Sequence, residues 1–218
     1  MRKINRQTNK VIAWLAIFSG IIVFGFVFIW PLKYSFSLGL FFSCLSYGCT
    51  LTTLFWFAWD RFLWKWPIIR RLINTPNLSG RWIGTYQRTS PGNDGVAHSY
   101  VLEITQRYST IWCDTYQENG SQSYGSFCEL FDLLNGWLSV SFYWEGTPHT
   151  EQEKAKELQR ADPYKGFTTL TYYPPNKKKK LPSELHGTYF TDRGTYGDIN
   201  IKFEQRFLLK RYSAEADS

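Results

Sequence analysis

The sequence predicts an all-β soluble domain, an eight-stranded antiparallel up-and-down β-barrel, carried behind an N-terminal two-helix transmembrane hairpin. Three observations lead there: two long uncharged runs near the N-terminus, a change of hydrophobic period at Ser79, and eight short aromatic-rich runs separated by turn clusters.

The first ten residues form a basic N-terminus with Arg2, Lys3, Arg6 and Lys10. Val11–Trp30 is a run of twenty residues without a charge, and Ser35–Trp59 is a second of twenty-five. At about 1.5 Å per helical residue, each is long enough to cross a hydrocarbon core of roughly 30 Å. Only Pro31, Leu32, Lys33 and Tyr34 lie between them, so residues 11–59 are expected to form a tight hairpin with spans 11–30 and 35–59. A signal peptide is the competing reading of the first run. The lack of a small-residue cleavage pattern and the second run directly after it argue against that.

The net charge of +7 is unevenly placed. Residues 1–76 hold nine Lys or Arg and one acid, whereas residues 77–218 hold sixteen basic and seventeen acidic groups. The excess flanks the two runs, at Arg2, Lys3, Arg6 and Lys10 before them and Arg61, Lys65, Arg70 and Arg71 after them. The positive-inside rule then predicts that both termini are cytoplasmic. Trp30 on one side, and Trp56, Trp59, Trp64 and Trp66 on the other, suit the two interfacial aromatic belts. This distribution marks topology and speaks against a DNA or RNA polymer as partner. In a cytosolic setting Cys44, Cys49, Cys113 and Cys128 are expected as thiols. Without a Cys-x-x-Cys, and with His98, His149 and His186 scattered, neither a metal nor a cofactor is expected.

Residues 60–77 read as a basic juxtamembrane connector, residues 78–212 as the barrel and residues 213–218 as a tail. The strand patterns are Gly80–Thr89, Ser99–Arg107, Thr110–Glu118, Gln122–Phe131, Gly136–Glu145, Gly166–Tyr173, Glu184–Thr191 and Asp198–Phe207. Several breaks between them are short, which favours antiparallel neighbours. Closure into a barrel removes exposed edges, and eight strands leave room for packed side chains or one small ligand. An open sandwich is the alternative. Thr150–Arg160 reads as a solvated helical turn and Lys177–Lys180 as an exposed tip.

In the second run Gly39, Ser43, Ser46, Thr50 and Thr53 recur at spacings of four and three, which sets small and hydroxyl residues along one seam. Such seams let helices approach closely in a bilayer, either within the hairpin or between protomers. The barrel segment shows no nucleophile–base spacing, phosphate loop or paired carboxylates, so an enzyme is not expected. Glu103, Asp114 and Glu129 fall in separate strands as outward charges. Trp82, Tyr86, Tyr100, Trp112, Tyr116, Tyr143, Trp144 and Tyr189 either fill the barrel or stack on bases.

Several motifs in order bring out a family. After the transmembrane hairpin come LSGRWIGTY (Leu78–Tyr86), a strand ending at Gln106, SQSYGSF (Ser121–Phe127), LSVSFYW (Leu138–Trp144) and LHGTYFTDRGTYGDI (Leu185–Ile199). Together they resemble the two-transmembrane, β-strand-rich effectors of bacterial CBASS anti-phage defence, which accompany a cyclic-oligonucleotide synthase of the CD-NTase type. The resemblance implies a cytosolic barrel that binds a cyclic dinucleotide. It also implies a hairpin that oligomerises and disrupts the inner membrane, killing the infected cell. In related effectors the ligand restrains and its loss releases, and the residues do not decide between these signs. For the ligand, Trp82, Tyr86 and Tyr143 are the stacking candidates, and Gln106 and Ser126 suit base edges or ribose. Thr191, Arg193 and Thr195 suit phosphate, which needs cations or hydrogen-bond donors. Trp82 as barrel core, and Arg193 in an ion pair with Asp192 or Asp198, remain open. So do two other readings of the whole, a membrane-tethered lipocalin-like small-molecule sensor and a structural scaffold with a filled barrel.

Overall fold

A computed structural model describes residues 25, 38–73, 75–89, 95–118, 120–132, 138–147, 164–175 and 182–212. The chain divides into two compact units, one of Leu78–Gln106 with Thr110–Ser218, the other of Arg2–Asn77 with Arg107–Ser109.

The larger unit is a closed barrel in sequence order, each strand antiparallel to the next and the last to the first. Its strands are β1 (Gly80–Arg88), β2 (Ala97–Gln106), β3 (Ile111–Gln117), β4 (Gln122–Asp132), β5 (Leu138–Thr147), β6 (Tyr164–Tyr173), β7 (Glu184–Thr191) and β8 (Tyr196–Gln205). The eight-stranded barrel expected from the alternating runs is therefore present, as a barrel and not a sandwich. Inward alternation places Trp82, Leu102, Ile104, Val140, Phe142, Leu170, Leu185 and Ile201 in one core. Trp82 fills the interior near the start of β1. Its indole N–H donates to the Leu78 carbonyl at 3.0 Å, and the rings of Phe203 and Tyr172 meet it edge-on at 5.3 and 6.4 Å. Leu78 is fully buried, and its N–H donates to Gln106 Oε1 at 2.7 Å. Gly187 sits where β7 passes closest to β6, and a Cβ there would strike the Thr169 carbonyl. Gly187→Ala is expected to destabilise the barrel by about 1–3 kcal/mol, as other forced shifts of packed backbone do, read from urea midpoints.

Outside the sheet, the chain beyond β8 folds back over β1 and β2. Arg81, fully buried, donates to Glu103 Oε1 at 3.0 Å, to Glu204 Oε2 at 2.8 Å and to the Arg211 carbonyl at 2.9 Å. Glu103 also accepts the backbone N–H groups of Leu209 at 2.8 Å and Lys210 at 3.1 Å. Glu103 thus lies on the outward face, as its strand parity predicts, but is sealed from water by a segment far along the chain. Asp114 pairs with Glu103 across β2 and β3. Burial, with the Glu103 charge adding to it, holds its carboxyl above the ordinary range. Tyr116 nearby is pushed up to about 12 by burial and then by the same charge. A raised folded pKa means the native state binds more protons than the unfolded chain, so this group's contribution falls as pH rises through the window between the two values. Asp114→Asn should therefore raise the urea midpoint at pH 7, and leave it nearly unchanged well below pH 4, where both forms are neutral.

The second unit holds α1 (Leu38–Arg61), a 3₁₀ turn at Leu63–Lys65 and α2 (Pro67–Ile73), the last lying where the sequence reads only as connector. Pro67 opens α2 at the position where a missing N–H costs nothing. Within the unit, Tyr108 lies among Trp59, Trp64 and Trp56 at ring distances of 5.8, 6.3 and 6.4 Å, and Ser109 N–H donates to Asp60 Oδ1 at 2.8 Å. Among the described residues no helix is long and apolar enough to cross a membrane. Hydroxyls and glycines dilute α1 along its length. The span 11–30 lies outside the described residues apart from Gly25.

Candidate functional site

A cavity opens on the barrel axis, lined by Tyr86, Tyr100, Thr115, Gln117, Ser123, Trp144, Thr168, Tyr189 and Ile199. Every strand from β1 to β8 contributes at least one of these residues, as inward alternation in a closed barrel requires. The enclosed space is about 40 Å³, far below the roughly 300–1,000 Å³ of ligand pockets, and holds about one to three waters with the walls as they stand.

The walls combine aromatic faces with hydroxyl and amide groups. Tyr86 meets Tyr100 and Tyr189 edge-on, each at 5.9 Å, and its hydroxyl donates to Gln117 Oε1 at 3.3 Å. Trp144 donates its indole N–H to Thr168 Oγ1 at 2.9 Å. Burial keeps the Tyr100 phenol far above its ordinary pKa, and therefore neutral, with the hydroxyl of Thr115 beside it. Tyr189 is also buried, and its hydroxyl makes no well-formed hydrogen bond. Burial pushes this phenol up while the Arg88 charge pulls it down, and burial wins. Beyond the wall, the Arg193 guanidinium lies over the Tyr164 ring at 5.0 Å, and that ring meets Trp144 edge-on at 5.7 Å. Among the described residues no group of three metal-ligating side chains comes together.

Of the eight ligand-binding residues expected from the sequence, Tyr86 lines the cavity. Trp82 sits in the core four residues earlier on the same face of β1, about 13 Å away at the usual strand rise. Gln106 is buried at the Leu78 end, where its side chain holds that backbone. Ser126 is exposed at the β4 bulge between Gly125 and Phe127. Tyr143, half-buried, alternates with Phe142 and Trp144 and so faces outward. Thr191 and Thr195 join hydroxyl to hydroxyl at 2.6 Å, closing the β7–β8 turn around Arg193 and Gly194, whose φ is 72°. Tyr100, Trp144 and Tyr189 belong to the aromatic set noted in the sequence. Thr115, Gln117, Ser123, Thr168 and Ile199 do not, although each shares the inward parity of the apolar residues beside it.

The five residues of the expected seam lie on α1. Ser43, Thr50 and Thr53 each donate a hydroxyl to the backbone carbonyl four residues earlier, at 2.9 Å, and Thr52 does so at 2.8 Å. Gly39 and Ser46 supply two of those carbonyls.

No protein-family model matches the chain. Among known proteins, the chain is similar to CD-NTase-associated protein 15 of Staphylococcus schleiferi, with 27% identity over 160 residues, or 72% of this chain and 78% of that protein. The similarity covers most of both chains and agrees with the resemblance carried by the motifs, that of a CBASS-associated effector.

Proposed function

We propose, from that kinship with a CD-NTase-associated protein, that this chain is an anti-phage defence effector working beside a nucleotide cyclase. Its barrel takes up a cyclic dinucleotide, and its N-terminal helices act on the bacterial inner membrane. The observation that carries the ligand reading is the axial cavity, with aromatic faces for a base and neutral hydroxyl and amide groups for its edges. A base enters by parting these walls, which leaves the two phosphates and the second base at the mouth. Arg193, held over Tyr164 beside Trp144 of the wall, is a cation placed to meet a phosphate.

For the membrane part, the back-bonded hydroxyls of Ser43, Thr50, Thr52 and Thr53 support a helix in lipid, because these four groups are satisfied within their own helix. Phe42, Leu51, Leu54 and Phe57 on the same helix are exposed. The seam Gly39–Ser43–Ser46–Thr50–Thr53 would then serve self-association of the two-span hairpin, with both termini in the cytoplasm.

Calorimetry of the full chain in detergent against a panel of cyclic dinucleotides tests the ligand. One member should bind, and Tyr86→Ala should weaken it by about 5–150-fold, the range for loss of one base–aromatic stack. Arg193→Ala should weaken it further, with a shallower salt dependence. Binding of an apolar small molecule with indifference to the whole panel would replace this reading with that of a tethered small-molecule sensor.

A further inference from the structure

The seams of the barrel are unequal. β3 and β4 pair only through Asp114–Tyr124, Thr115–Ser123 and Tyr116–Gln122, whereas every other pair of neighbours aligns seven to ten residues. Where that short ladder stops, two cysteines face each other. Cys113 on β3 is fully buried in the core, and Cys128 on β4 is half-buried against the same cluster. The Cys128 sulfur and the Cys113 backbone both border the space above Gly125, and the two thiols are close enough to influence each other's ionisation. Gly125 makes this approach possible. A Cβ there would lie 2.6 Å from the Cys113 carbonyl oxygen and 3.0 Å from Cys128 Sγ. Both residues are free thiols.

We propose that Cys113 and Cys128 are a peroxide-oxidisable dithiol whose disulfide closes the shortest seam of the barrel. Hydrogen bonding with Cys113 holds the Cys128 thiol below its ordinary pKa, while burial raises Cys113. Cys128 is therefore the attacking sulfur and Cys113 the resolving one. The Cys128 thiolate attacks a peroxide oxygen, so that an S–O bond forms, the O–O bond breaks and hydroxide leaves, taking up a proton to become water. Cys113 sulfur then attacks Cys128 sulfur, the S–S bond forms, the S–O bond breaks, and a second water departs with the Cys113 proton. Two thiols thus give two electrons and two protons to one peroxide. Thr115 and Ser123, two of the three cavity residues on these strands, pair with each other in the ladder the disulfide would reinforce.

The full chain in detergent, treated with stoichiometric hydrogen peroxide, should fall from four alkylatable thiols to two and recover four on reduction. Peptide mapping without reductant should join Cys113 to Cys128 with loss of two hydrogens. Amide exchange over β3 and β4 should slow by about tenfold or more in the oxidised form, because opening of that seam is then blocked. Cys113→Ser should leave Cys128 to proceed to the sulfinic acid. Four surviving thiols, a Cys128 sulfinic acid in the parent, or a disulfide to Cys44 or Cys49 would each overturn the proposal. All three are read on the parent chain and need no variant to fold.

Discussion

Trp82→Ala should cost the barrel about 3–5 kcal/mol, the range for emptying a buried Trp site. Whole-domain stabilities lie near 5–15 kcal/mol, so much of the chain would unfold at modest urea. The loss combines three parts. The ring is 1% exposed, so nearly all its transfer free energy is forfeited. Its N–H leaves the Leu78 carbonyl without a partner. Phe203 and Tyr172 lose the ring they pack against edge-on. Trp82→Phe keeps the packing and loses the hydrogen bond, and should cost about 1–2 kcal/mol. Urea unfolding by far-UV dichroism reads both, and calorimetry on Trp82→Phe separates core from ligand roles. Ligand binding close to that of the parent is expected. Unchanged stability with a selective loss of binding would return Trp82 to the site.

Arg81→Ala or Glu103→Ala should each destabilise by about 3–5 kcal/mol, because either change strands a buried charge. Both partners are almost fully buried, so solvent screening does little to soften the loss. Replacing both together with apolar residues of similar size should cost far less, since burying ions offsets much of what their attraction contributes. The pair has a second readout. Arg81 binds the Arg211 carbonyl, and Glu103 binds the Leu209 and Lys210 N–H groups, so either single substitution should expose residues 206–212 to protease. If Arg81→Ala leaves that segment protected and stability within about 1 kcal/mol, the clasp does not hold the chain end.

The strand count was legible because period-two alternation and turn clusters both report it. The starts of β6 at Tyr164 and β8 at Tyr196 lie two residues ahead of the patterns, where polar and glycine neighbours mask pairing. Parity was legible too: Val140, Phe142 and Trp144 mark the inner face of β5, which sets Tyr143 outside. Depth was not legible. Trp82 and Tyr86 share a face, yet one is core and the other is cavity wall, because barrel stagger decides which inward residues lie level with one another. Long-range partners were equally hidden. Nothing near Glu103 announces that it accepts backbone N–H groups more than a hundred residues on, nor that Gln106 Oε1 serves the backbone of Leu78.

The β1–β8 pairing also sets a clock on the chain's own synthesis. β1 begins at Gly80, and its second neighbour, β8, ends at Gln205. At roughly 5–20 residues per second, a ribosome takes on the order of 6–25 s to make that stretch. Throughout this interval β1 has one bare edge, open to any strand that meets it. The N-terminal helical segment emerges first and must wait for the barrel. A message cut short before Tyr196 never yields a closed barrel, however long the product survives. Closure by the last strand therefore makes translation through Gln205 the condition for a closed barrel.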